Sequence, residues 1–183
     1  MAKIKKGING RRKGHSFERD QAKAWGNWWG DVKLFARTPV SGGWKIAGDI
    51  ACTDNDFPFV LEMKKRESWN FGMLWSADCE IYKWLHQVVS DKTKKAPAWK
   101  IPMVVFTKNH DDIYCMMNTS EFLSMQDYID NSCMSKMRFK LVNTDIDIMI
   151  FRQKEFFGVI TGEIIKVMGK TLREYDEGKG VTR

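Results

Sequence analysis

Apolar positions along the chain follow two rhythms. Phe17, Gln21, Ala24, Trp25 and Trp28 share one helical face, mostly apolar, and Ala77, Ile81, Trp84, Leu85 and Val88 share another. This spacing predicts an amphipathic helix from about Ser16, with Ser16 as its N-cap, and a second over Ser76–Asp91. Shorter β-branched or alternating runs read as strands: Val32–Arg37, the two arms of Gly48–Lys64, Ile101–Thr107 and Asp112–Met117. Asp54-Asn55-Asp56 and Asn109-His110-Asp111 supply turn chemistry between them. The order α-β-β-β-α-β-β predicts a mixed α/β sheet flanked by helices. Beyond it, Ser120 caps a short helix through Tyr128. Met137–Val142 and Ile146–Phe151 pair as a hairpin. Thr161 caps a last helix carrying Ile164, Ile165, Met168 and Leu172.

Length and composition narrow the class. The 183 residues suit one domain with a sizeable core, and the 29% charged fraction is that of a globular chain. No run approaches the ~20 apolar residues of a membrane span. The N-terminus is basic but has no apolar signal segment, so a cytoplasmic setting is the default expectation. Cys52, Cys79, Cys115 and Cys133 form no C-x-x-C pair, and His15, His86 and His110 are scattered. A zinc site is not expected, and the thiols read as small, mostly buried side chains.

Charge is unevenly spread. Lys3, Lys5, Lys6, Arg11, Arg12 and Lys13 fall within the first 14 residues, which hold no acid, and they account for nearly all of the net +7. Residues 1–14 therefore read as a flexible basic arm that grips nucleic-acid phosphates, with a solubilising tail as the plainer alternative. The polar tail from about Glu174 reads as frayed.

The candidate chemistry lies in Gly48–Lys64. Side chains alternate along a strand, so Val60, Glu62 and Lys64 share a face, while Leu61 and Met63 point the other way. If the preceding strand lies antiparallel, Asp49 reaches the same end, and two carboxylates and an ammonium converge. That set suits a hard divalent cation such as Mg²⁺, with Mn²⁺ as a substitute, and Lys64 is placed to orient a water or offset charge on phosphate. The plainer reading is an exposed ion pair on a hairpin edge. Glu18 lies near the expected helix start, where it favours the helix dipole or reaches the metal. The loop Thr38–Gly43, with Arg37 before it and Ser41, Gly42 and Gly43 within it, offers N–H groups, a hydroxyl and a guanidinium to a phosphate. Lys65 and Arg66 open a basic-aromatic segment, with Trp69 and Phe71, that suits DNA backbone and bases or simply covers the core.

Taken together, Gly14-His15-Ser16-Phe17-Glu18, Arg37 with Ser41-Gly42-Gly43, Asp49 and Glu62-Met63-Lys64 resemble the PD-(D/E)XK nuclease superfamily, most closely the archaeal-type and phage-encoded Holliday junction resolvases. The resemblance covers about the first 117 residues. It implies a restriction-endonuclease-like fold, with residues 15–118 as nuclease core and 119–173 as a C-terminal α+β extension packed on it. It implies that Glu18, Asp49 and Glu62 take up the metal, that the Met63 carbonyl is a further ligand, and that Lys64 serves the water. Ser41 and Arg37 match substrate-loop positions, and Gln87 a supporting glutamine. Gly48 stands where the family pattern has proline, and the region past 118 exceeds the resolvase core.

The expected activity is a Mg²⁺-dependent endonuclease acting on branched DNA, above all four-way junctions. The resemblance implies a two-fold homodimer making paired symmetric incisions that leave 5′-phosphates. The alternatives are a nuclease of the same superfamily with another DNA-processing, repair or degradation duty, as in phages, and a non-catalytic DNA-binding module on the same fold. For a phage-encoded chain the setting is the host cytoplasm.

Overall fold

The computed structural model describes residues 6–39, 46–76, 78–129, 134–141 and 144–178. Ser41, Gly42, Gly43 and Cys133, and the ends of the expected arm and tail, lie outside them.

Helix α1 spans Lys6–Trp29, a 24-residue element. It begins ten residues before the expected start, so Ser16 is interior and caps nothing, and the basic stretch is helical from Lys6. Lysine and arginine are good helix formers, and no proline interrupts the run. Lys13 also reaches across to Glu67 at 3.3 Å. Glu18 is thus mid-helix, and a role at the helix dipole is removed. Val32–Leu34 forms a 3₁₀ turn, capped by the Asp31 side chain accepting from the Lys33 amide, which shortens β1 to Phe35–Arg37.

The strands that follow are β2 (Ile50–Cys52) and β3 (Phe59–Arg66). Helix α2 (Glu80–Lys95) then crosses to β4 (Ile101–Lys108) and β5 (Tyr114–Asn118). The later part contains α3 (Thr119–Ser124), β6 (Lys136–Lys140), β7 (Asp147–Arg152), α4 (Gln153–Val159) and α5 (Gly162–Asp176). Helix α4 is absent from the sequence expectation, because seven residues are too few to display a periodicity.

All seven strands form one sheet in the order β1-β2-β3-β4-β5-β7-β6. Only β3 and β4 run parallel, as the α2 crossover requires. Residue 118 is no boundary in this sheet, since β7 pairs along the whole of β5. One face carries Leu61, Met103, Met117 and Phe151 against α1 and the C-terminal helices; the other carries Val60, Val104, Phe106 and Met116 against α2. Trp25, fully buried, sits edge-on to Trp28, Phe57 and Phe157 and ties α1 to the C-terminal region. Among the described residues no helix is long and apolar enough to cross a membrane.

Helix α5 lies directly on the β2–β3 turn. Arg173 forks onto Asp56 at 2.9 and 3.0 Å, and Lys166 bonds Asp54 at 2.8 Å. Gly169 lets the backbones touch: a Cβ there would stand 1.8 Å from the Asp56 carbonyl oxygen. Gly169→Ala is expected to lower unfolding stability in urea by about 2 kcal/mol through overpacking. Gly158→Ala, at a helical site with nothing within 4 Å, is expected to be neutral or mildly stabilising.

Candidate active site

Asp49 is fixed by three hydrogen bonds between neighbouring strands. Its amide donates to the Leu61 carbonyl, its carbonyl accepts from the Thr38 amide, and its carboxylate accepts from the Met63 amide, each at 2.8 Å. Gly48 makes this approach possible. Its φ is +80°, and a Cβ would stand 2.5 Å from the Leu61 carbonyl oxygen. Proline, locked near −65°, cannot adopt that conformation, so glycine at this point is a backbone requirement.

Glu62 follows on the α2 face of β3 and is 2% exposed. Its Oε1 accepts from Lys64 Nζ at 2.5 Å and from Gln87 Nε2 at 2.7 Å. Gln87 Oε1 in turn accepts from Lys64 Nζ at 3.0 Å, closing a triangle between β3 and α2. The alternation expected along β3 is thus present, and the pair is buried rather than displayed on a hairpin edge. Asp91, one helical turn beyond Gln87, adds a further negative field on Glu62. Its spacing of i+4 from Gln87 was the available signal in the sequence.

Burial raises the Asp49 carboxyl; the Met63 amide lowers it, and the charge of Glu18 raises it again. Burial likewise raises Glu62 to about 7, with the Asp49 charge adding to the effect and Lys64 opposing it. Two acids are therefore held close together with less positive charge than they need. A donor set of this kind fits a hard cation, which typically takes one or two carboxylates and fills its sphere with water.

Glu18 is near enough for its charge to act on Asp49, but it is already paired. Arg37, at the end of β1, donates to its carboxylate, and both side chains are largely buried. Among the described residues no three His, Cys, Asp or Glu side chains group as a metal cage. In this arrangement Glu18 is held in an ion pair, and Asp49 and Glu62 are the acids beside Lys64.

The expected DNA-contacting residues are dispersed. Arg12 and Lys13 are exposed on α1, and the Arg11 side chain lies outside the described residues. Lys65 sits over the Phe17 ring on the α1 side, whereas Arg66 pairs with Glu80 and covers Trp84 on the α2 side. Trp69 is buried and covers the core, as its plainer reading has it.

The raised Glu62 has a consequence for stability. Unfolded, it returns to its ordinary value near 4.5, so the native state holds the proton more tightly. Its contribution is complete below pH 4.5 and is lost as pH rises through about 7, an interval worth about 3 kcal/mol. In EDTA, Glu62→Gln is expected to unfold at higher urea than wild type at pH 8 and at nearly the same urea at pH 5. An equal difference at both pH values would show that no carboxylate repulsion is stored here.

A family described as "Phage putative PDDEXK endonuclease" matches residues 9–166. No curated protein and no solved structure matches the chain. The match runs well past residue 118, so β6, β7 and α4 are part of the family's own pattern, not an addition to it. The mixed sheet between helical layers is accordingly the restriction-endonuclease-like α/β fold. With most of its length inside that match, the chain belongs to the phage PDDEXK endonuclease family.

Proposed function

We propose that this endonuclease is Mg²⁺-dependent, selects branched DNA, and acts above all on four-way junctions. The observation that carries the metal-dependent reading is the buried Glu62, with Lys64 and Gln87 closed on it, beside the half-buried Asp49. Asp49, Glu62 and the Met63 carbonyl would hold the ion, and Mn²⁺ would serve in its place. When bound, such an ion polarises a phosphoryl oxygen and makes water a better nucleophile at neutral pH.

The protein groups have separable tasks. Gln87 keeps Lys64 against Glu62, so the ammonium is pre-positioned where charge develops on the phosphate. Glu62 must give up its proton to take the ion, which costs little at a value of about 7. Arg37 is the cation nearest Glu18; contact with a DNA phosphate would draw it away and free Glu18 to support the site. Ser41, Gly42 and Gly43 would complete the phosphate contact beside Arg37. Lys13, Arg12 and Arg11 would add salt-dependent affinity from α1. A two-fold homodimer is the assembly that matches the symmetry of a junction.

The competing duty is processing or degradation of linear phage or host DNA, which the family description leaves equally open. Labelled four-way junction and linear duplex, each with Mg²⁺ and with EDTA, separate the two. Paired symmetric nicks confined to the junction are expected; equal cutting of both DNAs would overturn junction selectivity. Asp49→Asn and Lys64→Met are each expected to slow cleavage about 100-fold or more. Apparent Mg²⁺ affinity is expected to fall as pH drops below 7, by up to about tenfold per unit, because protons compete at Glu62.

A further inference from the structure

The α2 face of the sheet continues past the catalytic strand. Lys64, Phe106, Tyr114 and Arg152 stand in one register row across β3, β4, β5 and β7. Three inter-strand steps put Arg152 about 14 Å from Lys64. At the far end a cleft of about 200 Å³ opens between Phe71, Tyr114, Met137 and Arg152. Phe71 belongs to a 3₁₀ turn, Phe71–Trp75, in the segment that leaves β3 directly after Arg66. Four residues of that turn separate Phe71 from Trp75 by about 8 Å.

Trp75 is 78% exposed, and among the described residues its one ring contact is an edge-on approach to Phe139 of β6 at 6.0 Å. So exposed a tryptophan adds little to folding. On the edge strand β6, Met137 and Phe139 pair with Ile150 and Ile148 and face this side; Lys136, Arg138 and Lys140 alternate with them, with no acid in the strand. Lys136 and Arg152 both line the cleft; Arg152 is shared with Asp112 and Glu155, and Arg138 with Asp147. The surface therefore offers aromatic faces first and moderate positive charge second. Aromatic faces bordered by cations suit unpaired nucleobases, which stack on such rings without regard to sequence. Paired bases in a duplex present no free face.

We propose that Phe71, Trp75, Tyr114 and Phe139 form a stacking platform for unpaired bases beside the scissile strand, with single-stranded DNA as the ligand. This rests on the nuclease reading and adds to it the reason for preferring branched or unwound DNA. Phe139, against Trp75, stands four strands from β3, about 19 Å away, a span that a short run of unpaired nucleotides bridges.

Binding in EDTA tests the platform without cleavage. Fluorescence anisotropy with oligo-dT and with a blunt duplex is measured for wild type, Trp75→Ala and Trp75→Phe. Trp75→Ala is expected to weaken oligo-dT about tenfold while duplex affinity changes less than threefold, and Trp75→Phe to recover most of the loss. Equal loss on both DNAs, or none on oligo-dT, overturns the proposal. So does a Trp75→Ala variant that changes oligomeric state with oligo-dT affinity intact, which assigns the surface to self-association. Photocrosslinking of 5-bromouracil oligonucleotides to wild type gives a second test. Adducts are expected in residues 69–75, at Tyr114 or at Phe139, and adducts confined elsewhere overturn it. A chain that crosslinks there yet never cuts with Mg²⁺ sinks the nuclease reading alone; one that cuts while adducts avoid these residues sinks the platform alone.

Discussion

A buried carboxylate, Glu62, within the field of the half-buried Asp49 is the constraint around which the rest is arranged. Burial raises the cost of ionising both; the charge of Asp49 adds to it at Glu62, and that of Glu18 adds to it at Asp49. The protein offsets this with neutral donors, the Met63 amide and the Gln87 amide group, and with a single ammonium from Lys64. Had a second cation been built in, the site would be more stable and less attractive to an external ion. Arg37 is that second cation: it pairs with Glu18, and its pull on Asp49 is weaker than that of Lys64. The local charge deficit is thus a property of which acid each base faces.

Holding like charges together needs a stiff frame. β2 has three residues and β3 eight, so the hairpin on its own is slight. It is stiffened from three directions. β4 runs parallel along the whole of β3, α2 brings Gln87 over Glu62, and α5 locks the far turn through Asp54, Asp56 and Gly169. The last of these comes from more than a hundred residues away in the chain. That gives the C-terminal region a physical part in the candidate site: it supplies two strands and the helix that immobilises the turn between β2 and β3.

The same arrangement explains why the two sides of the sheet differ. The α1 side is sealed by large rings around Trp25 and by the C-terminal helices. The α2 side is sealed only as far as α2 reaches, and beyond it Phe71, Trp75 and Phe139 are partly left to solvent. Reactive groups and exposed aromatic rings therefore share one face, and the other is structural.

Much of this was legible in the residues. Strand alternation put Glu62 and Lys64 on one face, helical spacing marked Phe17, Trp25 and the α2 stripe, and turn chemistry located Asp54–Asp56. These are local properties, set by backbone period and side-chain type within a few residues. Other features depended on partners remote in sequence. Local signals started α1 at Ser16, but Lys13 meets Glu67 and the helix extends to Lys6. Gly48 departed from the proline of the family pattern, and the close pass of Leu61 and a positive φ make glycine a requirement there. Glu18 carried the expected residue type, but the structure gave it Arg37 as neighbour. The sequence by itself determined which residues have the chemistry for a nuclease site and in what order they come. Tertiary structure alone decided which acids are buried together, because desolvation and charge pairing depend on distances that no local pattern encodes.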